Sequence, residues 1–238
     1  MDAVLVGSLE RIVSAPRLQR YRDASTSDLE TAVIYCRNVQ LSEALLPSIA
    51  MFEVVLRNAV HTTLTLHAGT EWWFKPVLHR QAYDNILELV TKLVRRQGHP
   101  PTAGKVISVI TFGFWQKLFA HSYNGLWWDG PPRLLAQVLP HHPNVARDTR
   151  GKFEERLEYF VALRNRIAHQ EAIFQGVNAV NKPVLSLDIL HAQLIESIEW
   201  MDADASKLVS CLDRFGAVAA PTGRASLENT IKATFKIP

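Results

Sequence analysis

The spacing of its apolar residues constrains this chain more than any other feature, because they recur about every 3.6 residues in nearly every segment. A short strand is expected only near Val184 and Leu185. The spacing predicts helices over residues 27–67, 80–96, 103–121, 146–171 and 187–215, with a short one ending near Pro140. We therefore expect an all-α fold, with a single helical domain over residues 1–215 and a loosely ordered tail over residues 216–238.

Local signals place several helix ends. Ser27 and Glu30 form an S-x-x-E capping box, whose hydroxyl and carboxylate can accept hydrogen bonds from unpaired backbone N–H groups. Pro47 lacks the N–H that a helix interior needs, so we expect it to kink or divide the first long helix. The last helix is expected to break near Asp202 and Asp204.

The composition is that of a soluble globular protein, since 47% of the 238 residues are hydrophobic and 21% are charged. No apolar run reaches the length of about 18 residues that predicts a membrane span, and the first residues do not resemble a signal peptide. Cys36 and Cys211 lie far apart and outside any CxxC motif, which favours a reducing compartment. We therefore expect a cytoplasmic protein, whose net charge of +3 allows contact with nucleic acid without requiring it.

Most catalytic and metal-binding motifs are missing from the sequence. None of the nine histidines has the spacing of a zinc site. The segment from Gly98 to Lys105 is superficially similar to a P-loop, but Val106 stands where a magnesium-binding Ser or Thr is required. We expect neither a metal nor another cofactor. The aromatic residues at 112–115 are expected to lie in the core rather than to stack on bases.

Two segments place an Arg-Asn pair ahead of a histidine, one with Arg57 and His61, the other with Arg164, Asn165 and His169. Helical geometry projects Arg164 near the middle of the apolar arc of its helix. Asn165 and His169, four positions apart, are neighbours on the flank of that arc. These arginines are therefore expected to lie close to the core rather than in solvent.

Glu53, Arg57 and His61 are spaced by four along the edge of an apolar arc on the earlier helix. A guanidinium aimed into an apolar face needs a carboxylate or phosphate, since an unpaired buried charge is costly. We therefore predict a salt bridge from Glu53 to Arg57 or Arg164. One interpretation is an ion-pair network that fixes the register of two helices, and the other is a site for phosphodiester cleavage.

Cleavage of RNA requires few protein groups, because the 2′-hydroxyl of the RNA is itself the nucleophile. Histidine can transfer a proton near neutral pH, since its ordinary pKa is about 6.5. Arginine can hold the crowded phosphate with two parallel N–H donors. An arginine and a histidine separated by four residues nevertheless occur often by chance, so the spacing alone is a weak signal.

Six segments, in their order and spacing, are similar to those of a known family: FEVVLRNAV at 52–60, EWW at 71–73, GKVI at 104–107, TFGFW at 111–115, LW at 126–127 and LRNRIAHQEAI at 163–173. Over residues 21–201 the chain resembles the Abi-like (abortive-infection) proteins of bacteria, which belong to the HEPN superfamily of helical ribonuclease domains. The resemblance implies a HEPN-like helical bundle with additional helices.

The superfamily signature is R-x(4–6)-H with a polar residue after the arginine, which corresponds here to Arg164, Asn165 and His169. The resemblance implies an RNA substrate and a homodimer in which two such motifs face one cleft. Family members usually continue His-His-Glu-Pro-Ile, whereas this chain has Gln170 in place of the second histidine. Any role of that second histidine in proton transfer is therefore lost here.

On this resemblance we expect a metal-independent endoribonuclease toxin of a bacterial phage-defence or toxin–antitoxin system, opposed by an RNA or protein antitoxin. Arg164 would hold the scissile phosphate, His169 would transfer the proton and Asn165 would orient either group. The supporting residues are Glu53, Arg57, His61 and Glu171. The alternative is a catalytically inactive HEPN-like module that binds RNA or a partner protein.

Overall fold

A computed structural model of the protein describes residues 2–75, 78–128, 133–145 and 149–237. The structure is 74% helical and 2% strand, which confirms the all-α class. The α-helices are α1 (Asp2–Val13), α2 (Ala15–Arg22), α3 (Asp28–Ala68), α4 (Arg80–Gln97), α5 (Ala103–Val109), α6 (Phe112–Lys117), α7 (Leu135–Val138), α8 (Thr149–Ala168), α9 (Leu187–Met201), α10 (Ala203–Ser210), α11 (Phe215–Ala219) and α12 (Pro221–Phe235). The remaining elements are 3-10 turns at Trp72–Phe74 and His121–Tyr123, a π-helical turn at Asn124–Trp128, and the strands β1 (Val177–Asn178) and β2 (Val184–Leu185).

The long helix α3 begins as its sequence predicts. The Ser27 hydroxyl accepts a hydrogen bond from the Glu30 N–H at 3.1 Å. The Glu30 carboxylate differs from the expected box, because it accepts from the N–H and hydroxyl of Thr26 rather than from Ser27. Pro47 does not divide α3, which stays one helix because residues on both sides of the proline, such as Leu45 and Ile49, are buried.

Among the described helices, α3 alone is long and apolar enough to span a membrane, and 39% of its most apolar stretch is buried inside the protein. Length and composition are weak grounds for such a span, because the core helix of a soluble protein passes the same test. Its apolar arc is packed as a core stripe: Leu45, Ile49, Phe52, Leu56, Val60 and Thr63 are all buried.

Other helix boundaries differ from the sequence pattern in places. The predicted helix over residues 103–121 is interrupted, because Ile110 and Thr111 adopt extended backbone between α5 and α6. The predicted break near Asp202 is confirmed: its carboxylate accepts the N–H groups of Asp204 and Ala205, both at 2.9 Å, and so caps the start of α10. The predicted strand is also confirmed, since β1 and β2 pair antiparallel.

The chain divides into two compact units, which are named here by their composition. The three-segment unit contains residues 1–49, 162–193 and 209–238, and the tryptophan unit contains residues 50–161 and 194–208. The expected assignment of residues 1–215 to a single domain stays a prediction.

The C-terminal segment of the three-segment unit is helical where a loosely ordered tail was expected. Ile231 of α12 is buried in a cluster with Leu5, Ala32 and Val33, and Leu227 packs against the same cluster. Leu227 and Ile231 are four residues apart and therefore share one helical face. The prediction for residues 216–238 was wrong, because this face is covered by helices from the other end of the chain.

The tryptophan unit holds all six tryptophans of the sequence. Trp72 and Trp115 are fully buried, with ring centroids 6.1 Å apart. Phe112 is also buried, 5.9 Å from Phe52. These contacts confirm the core position of Phe112 and Trp115, while Phe114 between them is only half-buried.

Candidate functional site

The C-terminus of α8 carries the predicted motif. α8 ends at Ala168, and the next residues form a tight turn in which Gln170 has a φ of 56°. The Glu171 N–H donates to the Arg166 carbonyl at 2.8 Å and the Gln170 N–H donates to the Ile167 carbonyl at 3.0 Å. This pair of bonds is a Schellman motif, which ends the helix and fixes the backbone at His169.

We expect Gln170→Gly to stabilise the protein by about 0.5–1 kcal/mol in urea melts. A side chain with a Cβ is strained in the left-handed region, whereas glycine adopts it readily. Gln170→Ala is the matched control, because it shortens the side chain but keeps the Cβ. An equal gain in Gln170→Ala would show that the backbone conformation is not the source of the effect.

Arg164 and Asn165 form a polar pair one turn before this end. Arg164 Nη1 donates to Asn165 Oδ1 at 3.0 Å. Asn165 is exposed and Arg164 half-buried, whereas their neighbour Leu163 is fully buried. The core stripe of α8 therefore passes through Leu163, and Arg164 lies at its edge rather than near the middle of the apolar arc.

The His169 imidazole is exposed on the turn, and its backbone N–H donates to the Asn165 carbonyl at 2.9 Å. The structure therefore joins Arg164 to Asn165 through their side chains and Asn165 to His169 through the backbone. Glu171 is exposed and follows two residues later. A substrate could reach the side chains of Arg164, Asn165 and His169.

Arg166 holds this turn from one side. Its Nη2 donates to Asn178 Oδ1 at 2.6 Å and its Nη1 to the Ala172 carbonyl at 3.3 Å. The guanidinium thus ties the end of α8 to β1 and to the chain just after the turn. Arg166 lies within the segment that carries the motif, but its spacing predicts no role for it.

Asn38 of α3 holds the segment after the turn, and no sequence pattern predicts this role. Its Oδ1 accepts the N–H groups of Ile173 at 2.7 Å and Phe174 at 3.1 Å, and its Nδ2 donates to the Glu171 carbonyl at 3.3 Å. Asn38 is only 3% exposed. A polar asparagine inside a helix is a weak sequence signal, because such residues usually compete with helix hydrogen bonding.

The supporting residues predicted on α3 are Glu53, Arg57 and His61. All three belong to the tryptophan unit and are half-buried, as their position at the edge of the apolar arc predicts. Nε of Arg57 is buried without a hydrogen-bond partner among the described residues. The salt bridge from Glu53 stays a prediction.

His61 is engaged by an aromatic partner. The Trp72 Nε1–H donates to His61 Nδ1 at 3.1 Å, and the imidazole stacks on Trp73 with ring centroids 5.9 Å apart. Because an indole can only donate, Nδ1 must be unprotonated in this contact. Burial lowers the pKa of His61 below its ordinary value, which also favours the neutral ring. His61 therefore acts as a packing residue of the tryptophan unit.

This contact predicts a loss of stability in mild acid. The folded-state pKa of His61 lies below the unfolded value of about 6.5, so the unfolded chain binds the proton first as the pH falls. We expect the free energy of unfolding in urea to decrease from about pH 7.5 to about pH 5.5. His61→Gln should weaken this dependence, because its amide oxygen can accept from Trp72 without titrating.

His67→Gln, at an exposed position on the same helix, is the control and should keep the full pH dependence. Burial lowers the pKa of His142 as well, so part of the dependence should remain in His61→Gln. An unchanged dependence in His61→Gln would show that the Trp72 contact does not set it.

No group of three or more His, Cys, Asp or Glu side chains suited to a metal ion occurs among the residues that the structure describes. No known family model, curated protein or solved structure matches this chain.

Proposed function

We propose that the chain is a metal-independent endoribonuclease of the Abi-like, HEPN kind, acting in the cytoplasm as the toxin of a bacterial phage-defence or toxin–antitoxin system. The observation that supports this proposal is the arrangement at the end of α8. Asn165 orients the Arg164 guanidinium, and His169 is exposed on a turn whose following backbone, residues 171–174, is held by four hydrogen bonds to the side chains of Arg166 and Asn38.

The reaction is an internal transesterification of RNA. The 2′-oxygen attacks the phosphorus and the bond to the 5′-oxygen breaks, which leaves a 2′,3′-cyclic phosphate and a 5′-hydroxyl. One proton leaves the 2′-hydroxyl and one is delivered to the 5′-oxygen. His169 transfers protons, and a homodimer supplies two copies of it, so one can accept while the other donates. Arg164 stabilises the charge that develops on the phosphate.

We expect a homodimer because Arg164 and His169 are five positions apart, which on a helix separates their directions by about 140°. A second copy of the motif facing the first would place an arginine and a histidine on the same phosphate. Light scattering at tens of micromolar protein should give twice the mass of one chain. A monomeric mass under these conditions would contradict the two-motif site.

Gln170 favours a second candidate function, a catalytically inactive HEPN-like module that binds RNA or a partner protein. The amide of Gln170 cannot transfer a proton, whereas the family usually has a second histidine at this place. In such a module Arg164 and Asn165 would contact phosphates without cleaving the RNA.

One assay separates the two functions. Purified protein is incubated with total RNA in EDTA, and the ends of any fragments are mapped. The nuclease should produce 2′,3′-cyclic phosphate ends despite the chelator, and an RNA or protein antitoxin from the same operon should suppress it. Intact RNA that is retarded in a native gel would instead support the binding module.

A further inference from the structure

A cavity of about 390 Å³ lies within the three-segment unit, separate from the motif at the end of α8. Its volume is in the range of sites for small molecules. Its apolar wall includes the side chains of Phe174 and Phe215. The charged residues that line it are Arg37, Arg224 and Asp188. The lining therefore combines aromatic rings with two guanidinium groups and one carboxylate.

Arg37 is the unusual member of this lining. It is only 9% exposed, and its Nη2 donates to a neutral acceptor, the Ala220 carbonyl, at 3.1 Å. Its Nη1 is buried and has no hydrogen-bond partner among the described residues. Buried guanidinium groups are normally paired with a carboxylate or phosphate, because an uncompensated charge is costly in the interior.

The surroundings make the positive charge of Arg37 harder to accommodate. Burial lowers its pKa below the ordinary value, and the nearby charge of Arg224 lowers it further. Arg224 is already paired with Glu30 at 3.0 Å. A Cβ added at Gly223 would lie 2.8 Å from the Val218 carbonyl oxygen and 3.0 Å from Arg37 Nη1, so this glycine lets α12 pack closely against both the backbone of α11 and the guanidinium. Among the residues that the structure describes, the Arg37 guanidinium has a carbonyl as its hydrogen-bond partner and forms no ion pair with a carboxylate.

We propose that this cavity binds a phosphate monoester with an aromatic body, of the size of a nucleoside 5′-monophosphate. A phosphate monoester carries close to two negative charges at neutral pH, which suits a site with two arginines better than a monoanion does. Phe174 and Phe215 line the cavity, and each already has one ring face stacked, on Tyr21 and on His191 respectively, so an aromatic base would stack on the opposite face of either ring. Gln175 and Asp188, also in the lining, can form directed hydrogen bonds to a base or sugar.

The first experiment is calorimetric titration of the whole protein with the four ribonucleoside 5′-monophosphates. At least one should bind with a Kd below about 1 mM. The matching nucleoside, which lacks the phosphate, and inorganic phosphate, which lacks the aromatic body, should each bind at least about tenfold more weakly. The proposal fails if none of the four binds, or if the nucleoside binds as tightly as its monophosphate.

Three variants test whether the monophosphate binds in this cavity. Arg37→Met should weaken binding at least about tenfold while its melting temperature without ligand stays at or above that of the wild type, because a buried charge is removed. Arg224→Gln changes a half-exposed residue and should weaken binding severalfold. Arg214→Gln is the control, since that arginine pairs with Glu43 outside the cavity lining and its loss should leave binding unchanged.

If Arg37→Met unfolds, Arg37 is a structural residue and Arg224→Gln decides alone. Binding in Arg224→Gln that equals the wild type would then overturn the proposal. His169→Ala should bind the monophosphate as the wild type does. The cavity proposal and the ribonuclease proposal are therefore tested by different variants, so one can be wrong while the other holds.

Discussion

Replacing His169 with alanine is expected to reduce the rate of RNA cleavage by about 10²–10⁴-fold, the usual contribution of a proton-transfer group. The same change should alter the free energy of unfolding by less than about 0.5 kcal/mol, because the imidazole is exposed. The hydrogen bond from residue 169 to Asn165 is made by the backbone and is retained in the variant. Cleavage should be measured in EDTA, and growth arrest should be compared at equal expression.

His67→Ala is the matched control, since His67 is also an exposed histidine at the C-terminal end of a long helix. It should cleave RNA and arrest growth as the wild type does. If the wild type arrests growth and His169→Ala does so equally, the ribonuclease proposal is wrong. The binding module would then be the better account.

Asn38→Ala should have the largest effect on stability, lowering the free energy of unfolding by about 3 kcal/mol. The substitution leaves the N–H groups of Ile173 and Phe174 without their acceptor, and a buried donor without a partner costs about 1–3 kcal/mol. The better helix propensity of alanine offsets only a few tenths of a kcal/mol. Urea melts followed by circular dichroism measure the change.

Two further variants test whether the loss of the Asn38 hydrogen bonds causes this change in stability. Asn38→Asp keeps an acceptor for both N–H groups, but it can donate to the Glu171 carbonyl only when its buried carboxyl is protonated, so its loss of stability relative to the wild type should be smaller at about pH 4 than at about pH 7. Asn58→Ala changes an exposed asparagine on the same helix and should be close to neutral. A loss in Asn38→Ala below about 1 kcal/mol would show that water or a rearranged backbone replaces the side chain.

Features set by neighbouring residues could be predicted from the sequence. The buried stripe of α3 follows from apolar spacing, and the break before α10 follows from the ability of Asp202 to cap a helix. The order of α12 could not be predicted in this way. Leu227 and Ile231 form a short apolar pair, and they stabilise a helix only because Leu5 and Val33 cover them. Such long-range contacts leave no local signal.

The candidate site was also predictable from the sequence only in part. Sequence spacing identified Arg164, Asn165 and His169, and the structure places them on one helix end. The sequence spacing did not predict the turn at Gln170, because glutamine is not among the residues that usually adopt a positive φ. The buried charge of Arg37 was equally hidden, since a lone arginine within a helix is normally solvated.

The Asn38 contacts also set a limit on when the motif can be completed during protein synthesis. Asn38 and Phe174 are 136 residues apart in sequence. The contact therefore cannot form until the ribosome has added Phe174 and released it from the exit tunnel. Closing so long a loop also carries a large entropic cost. A nascent or truncated chain that ends before Phe174 can contain Arg164 and His169, but it lacks the Asn38 hydrogen bonds that hold the segment after their turn.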